Sequence, residues 1–379
     1  MLTRNILSMY IGRAFVLAFC WLLLACGGDN GGAATPRAAC VIIDNDYDID
    51  DMMAIPLVIG NRYVASIIQS EGYTLPADGA SALEQLVNNL PDQPNQRKIP
   101  IIVGGYQAGT KDLTPWPWLP FFRSMMNLSN GLLDTVPAPA QANPVYAQQV
   151  ADSVANCANV SVLVIGTYTS FINYSPLIRG KIDKVIIMGQ ALGDDSAAPG
   201  RESFNCRYDL PACKTAMTQL IGLNKYFVDI PRIDYCYTGT PSADCYSPSH
   251  KMVAGTAGSG GIGGGGLPSR LKQALMNDIN CASLYTKPDK FGLPCTSQST
   301  WVPADVFTGP GGEMLLWDQT AALFLLHPEY FSLYYPPDNP AIGGKHYQPN
   351  LVAGSHALTI QRLRQLWTDD TNRAISFYP

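Results

Sequence analysis

The sequence predicts an α/β protein whose core is a mostly parallel open sheet with helices on both faces and a Cys/Gly-rich insertion in the second half. Three observations predict it. Short apolar runs alternate with longer amphipathic stretches along the first half of the chain. The runs are apolar throughout, as strands covered on both faces are. Repeated strand–helix–strand order calls for right-handed crossovers between parallel neighbours.

In order, CVIID (40–44), YVASIIQS (63–70), KIPIIVGG (98–105), VSVLVIG (160–166) and KVIIMG (184–189) read as strands. DDMMAIPLVIG (50–60) and ADGASALEQLVNNL (77–90) read as helices, as does NPVYAQQVADSVANC (143–157). The last places Asn143 as cap and Pro144 at the first helical position, where its missing N–H costs nothing. Farther on, LPACKTAMTQLIGL (210–223) predicts a helix and KYFVDI (225–230) a strand. Residues 232–266 hold cysteines, tyrosines and the run GTAGSGGIGGGG, which lacks the Lys-Ser/Thr of a phosphate loop and follows no strand. LPSRLKQALMND (267–278) and LLWDQTAALFLLHPEYF (315–331) resume as helices.

The first residues carry a different message. Arg4 and Arg13 precede AFVLAFCWLLLAC (14–26), an apolar stretch short of the ~20 residues of a membrane span. Its end, Leu23-Leu24-Ala25-Cys26, looks like a bacterial lipobox, which implies cleavage before Cys26 and a lipid on it. The expected organisation is a lipoprotein signal peptide over 1–25, a tether over 26–38 and one α/β domain over 39–379. The protein is then exported and held at a membrane, on the periplasmic side or the cell surface. Eight of the ten cysteines lie beyond the signal, a number that permits disulfides in an exported chain. Cys206/Cys213, Cys236/Cys245 and Cys281/Cys295 are close in sequence, but the pairing stays open. Loss of the signal removes two positive charges from a formal −5 and no negative one, leaving about −7. With no basic run to hold a phosphate backbone, nucleic-acid polymers are excluded as partners. Assembly of identical copies is compatible with the reading.

The chemistry centres on VIIDNDYDIDDMMAI (41–55), with Asp44, Asp46, Asp48, Asp50 and Asp51 between two apolar runs. Carboxylates this close raise one another's pKa unless something positive sits among them. A bound cation is the simplest answer, and the loop lies where parallel sheets bind ligands, beyond a strand's carboxyl end. An EF-hand is excluded, because its glycine and terminal glutamate are missing.

The pattern Asp44-x-Asp46-x-x-x-Asp50-Asp51 resembles the N-terminal signature of the nucleoside hydrolases, whose loop holds calcium. VLVIGTYTSFINY (162–174), KVIIMGQALG (184–193), ESFNCRYD (202–209) and LLWDQTAA (315–322) resemble further segments of that family, in the same order. The resemblance implies calcium-dependent hydrolysis of a ribonucleoside's N-glycosidic bond, giving free base and ribose. It assigns calcium to Asp46, Asp51, the Ile165 carbonyl and Asp318, with Asp46 also the general base. Asp50 and Asn205 would bind the ribose and Asp44 would orient the ligands. Trp317, where one subgroup has histidine and a purine-preferring subgroup tryptophan, would stack on the base. Trp116 and Trp118 in LTPWPWLP (113–120) offer a second stacking face or plain packing.

There are departures. Tyr47-Asp48 replaces the family's Pro-Gly, Tyr73 stands at an asparagine's place, and Ser203 at that of a glutamate unless Glu202 shifts in. Asp194 lies near the place of another asparagine. The four histidines are scattered and read as surface or capping residues. Two other functions compete. VIIDNDYD resembles the nucleophile strand of haloacid-dehalogenase-type phosphatases, with Asp44 attacking phosphorus and magnesium bound, but Asp50-Asp51 and Asp318 are then unexplained. A non-catalytic surface lipoprotein would bind a nucleoside or carbohydrate without cleaving it.

Overall fold

A computed structural model of the chain describes residues 37–88, 98–107, 111–116, 119, 120, 123, 143–189, 203–228, 317–334, 345–349, 366, 369 and 370. The signal, the tether before residue 37, the glycine run, residues 267–278, Cys236, Cys245, Cys281, Cys295, Trp118, Asp194, Glu202, His250 and His356 lie outside the described residues.

The strands are β1 (Arg37–Asn45), β2 (Val64–Gln69), β3 (Ile101–Val103), β4 (Cys157–Val164), β5 (Ile182–Met188), β6 (Lys225–Val228), β7 (Phe331–Tyr334) and β8 (Lys345–Pro349). They form one eight-stranded sheet in the order β3-β2-β1-β4-β5-β6-β8-β7. Neighbours β1/β2, β2/β3, β4/β5, β5/β6 and β6/β8 run parallel, and edge strand β7 is antiparallel to β8. The predicted fold class is the observed one, and its strand order reverses between β1 and β4.

Helices α1 (Ile49–Ile59), α2 (Pro76–Leu83), α3 (Tyr146–Ser153), α4 (Phe171–Ile178), α5 (Phe204–Tyr208), α6 (Leu210–Gln219) and α7 (Trp317–Leu326) complete the core. Strand alternation sorts their partners. Ile42, Ala65, Ile68, Val162, Val164, Val185 and Ile187 form one cluster with Val150, Phe171, Tyr174 and Ala216 of α3, α4 and α6. Each such large side chain contributes about 1.5–3 kcal/mol on burial. On the other face α7 packs against α1 and against β5.

Three local readings need correction. Asn143 and Pro144 do not cap α3, which starts at Tyr146 without a side-chain cap. The Asn143 amide instead donates to the Val103 carbonyl (3.0 Å) and to Gln149 (2.9 Å), tying the turn to β3. Helix α4, for which the sequence analysis gives no reading, contains Pro176, which leaves the Ile172 carbonyl without its intrahelical donor. Gln219 of α6 supplies one, its Nε2 donating to Ile172 O at 2.8 Å. The helix predicted to run on to Phe331 ends at Leu326, because Pro328 cannot continue it. Among the histidines, His346 is buried and stacked on Phe227 (centroids 5.0 Å), contrary to the surface expectation. His327 follows α7 and contacts Asp370 at 2.8 Å.

Two disulfides join described residues: Cys206–Cys213, between α5 and α6, and Cys40–Cys157, between β1 and β4. The second was not among the close-sequence pairs and closes a separation of 117 residues. A cross-link over so long a loop removes much freedom from the unfolded chain. Replacing both Cys40 and Cys157 by alanine is expected to lower unfolding stability by about 2–4 kcal/mol in urea titrations, without loss of native circular dichroism.

Candidate active site

The site lies where β1, β2, β4 and β5 end. Asp44 is fully buried at the end of β1. Its Oδ1 accepts from Ser70 Oγ (2.5 Å) and its Oδ2 from Tyr174 OH (2.9 Å). Ser70 Oγ lies 2.6 Å from Ser170 Oγ, which accepts from the Gly105 N–H at 2.8 Å. The Asp44 carbonyl accepts from the N–H groups of Ile165 (2.8 Å) and Gly166 (3.0 Å). With both oxygens engaged and no solvent exposure, this carboxyl is not presented as a phosphatase nucleophile would be.

After Asp44 the chain turns sharply. Asn45 Nδ2 donates to the Ile68 carbonyl (2.8 Å), and its Oδ1 accepts from the Tyr47 N–H (3.1 Å). Tyr47 adopts a left-handed backbone, φ 56°, with its ring buried. A side chain on Gly166 would collide with the Asn45–Asp46 backbone, so only glycine lets β4 approach this turn so closely.

Asp46 is enclosed by residues 72–74. Its Oδ2 accepts from the Tyr73 N–H at 3.1 Å. Its carbonyl accepts from Thr74 N (3.0 Å) and Thr74 Oγ1 (2.9 Å). Asp51, at the third position of α1, reaches back with Oδ2 to accept from the Asp48 N–H at 2.7 Å, half of a capping box. Asp50 is the second residue of α1, and its side chain lies outside the described residues. The Ile165 carbonyl accepts from Asn205 Nδ2 at 2.6 Å, so two predicted site residues 40 positions apart meet. Asp318 is buried in the first turn of α7, the helix that packs on α1. Trp317 opens α7, and its side chain too lies outside the described residues.

A second wall escaped the sequence reading. Glu71, buried after β2, accepts from Tyr208 OH (2.8 Å) and the Gln107 N–H (2.7 Å). Asp209 caps α6 through the Ala212 N–H (3.2 Å) and accepts from Thr169 Oγ1 (2.7 Å) and Gln107 Nε2 (2.5 Å). Arg123 donates to the Gly72 carbonyl and Tyr208 OH. Above them lies an aromatic group: Tyr73 on Phe204 (4.4 Å), and Trp116 on Phe204 (5.7 Å) and Tyr208 (5.6 Å). Trp116 is thus packed within the wall. Ser203 Oγ is buried beside Gly189, whose φ of +83° marks the end of β5. Apart from Tyr208 and Asp209 at the end of ESFNCRYD, the residue types gave no sign of the polar wall, since its members come from five separate segments.

Burial dominates the electrostatics. It pushes the Asp44 carboxyl up to about 7, the hydrogen bonds from Ser70 and Tyr174 opposing and the Asp46 charge adding. Burial likewise pushes Asp46 up to about 6, against lowering contributions from a hydrogen bond with Asp51, the Tyr73 N–H and the charge of Arg123. Among the described residues, no group of three or more His, Cys, Asp or Glu side chains stands together as a metal cage. The donor chemistry of the loop fits a hard divalent cation all the same. Asp46 and Asp51 are buried carboxyls on one short loop, the oxygen chemistry that such an ion takes.

No family model and no curated protein matches the chain. Solved structures do, and they place the chain in the nucleoside hydrolase fold. The purine-preferring ribonucleoside hydrolase of Gardnerella vaginalis is 16% identical, with a TM-score of 0.54 over 89% of this chain and 100% of that one. The inosine-uridine preferring nucleoside hydrolase of Bacillus anthracis is 12% identical, with a TM-score of 0.52 over 89% and 99%. The type III effector protein XopQ, solved with adenosine diphosphate ribose, is 14% identical, with a TM-score of 0.56 over 90% and 94%.

A carboxyl whose pKa folding raises adds stability below its unfolded value and loses it as pH climbs through the folded one. With chelator present, wild-type stability is expected to fall between about pH 4 and 7, Asp44 accounting for up to about 4 kcal/mol. Asp44→Asn keeps an acceptor for Tyr174 and is expected to flatten that slope, leaving the part due to Asp46. Urea midpoints from pH 4 to 8 measure both, and identical slopes in the two proteins would show Asp44 ionised throughout.

Proposed function

We propose that the protein hydrolyses the N-glycosidic bond of a ribonucleoside in a calcium-dependent reaction. One observation carries the reading: Asn205 and the Ile165 carbonyl meet beside the Asp46 turn, at the carboxyl ends of strands in a nucleoside hydrolase fold. Asp46, Asp51, the Ile165 carbonyl and Asp318 would hold the calcium, all hard oxygen donors. When bound, the ion supplies positive charge that grips ribose hydroxyls and acidifies a water.

The chain's own groups do the rest. Asp46, held ionised by the bound cation, would take the proton of the attacking water as oxygen bonds to the ribose C1′ and the bond to the base breaks. The surrounding carboxylates favour the positive charge that develops on the ribose. Asn205 has its amide nitrogen committed to Ile165, so its Oδ1 is the atom that accepts from a sugar hydroxyl. Asp50 binds the ribose as well. Trp317 would stack on the leaving base and raise that base's affinity for the proton it takes up from solvent as it departs, which favours purines. Export as a lipoprotein, with the lipid on Cys26, is proposed from the signal alone. Among the described residues, no helix is long and apolar enough to cross a membrane.

A second reading is a receptor that binds a nucleoside or carbohydrate without cleaving it. It draws on Tyr73, whose ring occupies the space over Phe204. The two readings separate in one assay of free base and reducing sugar, run on purine and pyrimidine ribonucleosides with calcium or with chelator. Hydrolysis predicts calcium-dependent release, purines fastest, reduced about 10²–10⁴-fold in Asp46→Asn. Binding with every ligand returned intact would establish the receptor instead.

A further inference from the structure

Arg123 is a largely enclosed cation that neither the calcium set nor the reaction uses, its side chain only 11% exposed. Its Nε and Nη2 both donate to the Gly72 carbonyl, at 3.1 and 2.6 Å. The carbonyl of Gly72 and the N–H of Tyr73 belong to one planar peptide and point in opposite directions. That N–H is the donor to Asp46 Oδ2. We propose that Arg123 is a positioning residue for Asp46, acting through the Gly72–Tyr73 peptide plane. The geometry stands by itself, and its catalytic consequence rests on the reading of Asp46 as general base.

Each side of the plane is held. Behind it, Arg123 Nη2 also donates to Tyr208 OH (2.8 Å), which donates to Glu71 Oε1 (2.8 Å), while the Gln107 N–H holds Glu71 Oε2 (2.7 Å). The guanidinium lies 3.6 Å from that Oε1, so its fork is locked in direction as well as balanced in charge. In front, Gly72 leaves no room for a Cβ against the Asp46 carboxylate, and its own N–H donates to Thr74 O at 3.1 Å. The plane cannot rotate without withdrawing the Tyr73 N–H from Asp46. Residues 203–209 thereby bear on the acidic loop: Tyr208 orients Arg123, and Arg123 orients the peptide.

The rival explanation is that Arg123 merely neutralises Glu71. Arg123→Met, Arg123→Lys, Glu71→Gln and the double variant Glu71→Gln/Arg123→Met separate the two in the full-length chain. Deuterium exchange of the peptide covering residues 70–75 is the readout independent of activity. Positioning predicts exchange faster by about tenfold or more in Arg123→Met and in the double variant. Arg123→Lys, which keeps the charge but loses the fork, falls between, and also serves if Arg123→Met does not fold. Turnover of the nucleoside is expected to lose about tenfold to a hundredfold in kcat, with a smaller change in KM. Wild-type exchange and turnover in the double variant, or unchanged exchange in all four, would overturn the proposal. A wild-type protein that cleaves no nucleoside would overturn the proposed reaction, and the exchange result would still decide the role of Arg123.

Discussion

The site depends on a carboxyl group taken entirely out of water. Asp44 links three parts of the fold at once: Ser70 beyond β2, Tyr174 of α4, and through its carbonyl the end of β4. Burying an acid is costly unless its oxygens find partners, and here both do. The same residue therefore joins the strand ends at the point where strand order reverses and sets where the next residues can go. Asp46 and Asp48 stand where they do because the chain leaves Asp44 through a turn that only Gly166 permits β4 to flank.

Around that fixed point the site divides into two electrostatic territories. The loop from Asp44 to Asp51 concentrates carboxyl groups, and backbone N–H groups donate to two of them, Asp46 and Asp51. The wall formed by Glu71, Asp209, Gln107, Arg123 and Tyr208 is internally satisfied, each carboxylate meeting donors from the protein itself. One territory gathers carboxyls from a single stretch of chain, and the other is closed on itself by groups from separate segments. Their junction is residues 72–74, whose groups face Arg123 on one side and Asp46 on the other.

Much of this was legible in the residues, and the limits have physical reasons. The central strands were readable because burial on both faces leaves unbroken apolar runs. The acidic loop was readable because local charge density needs no tertiary information. Helix α4 was not, since Pro176 argues against it and the compensating Gln219 lies 47 positions from the carbonyl it serves. Asn143 offered a standard helix start, but a tertiary bond to Val103 outbid the local preference. Cys40–Cys157 and the Glu71–Arg123–Tyr208 wall were invisible for one common reason. Their partners are brought together by the sheet, and no spacing along the chain records that meeting.

Tyr47 has a consequence for how firmly the acidic turn is held. Its backbone sits in a conformation that costs a non-glycine residue on the order of 1 kcal/mol or more, while its ring is buried in the interior. The turn cannot relax without drawing that ring into water, so it breathes only as much as the core does. Most surface loops admit a ligand by moving aside, and this one is anchored. The position of the turn, and with it that of Asp46, is therefore tied to the packing of the core.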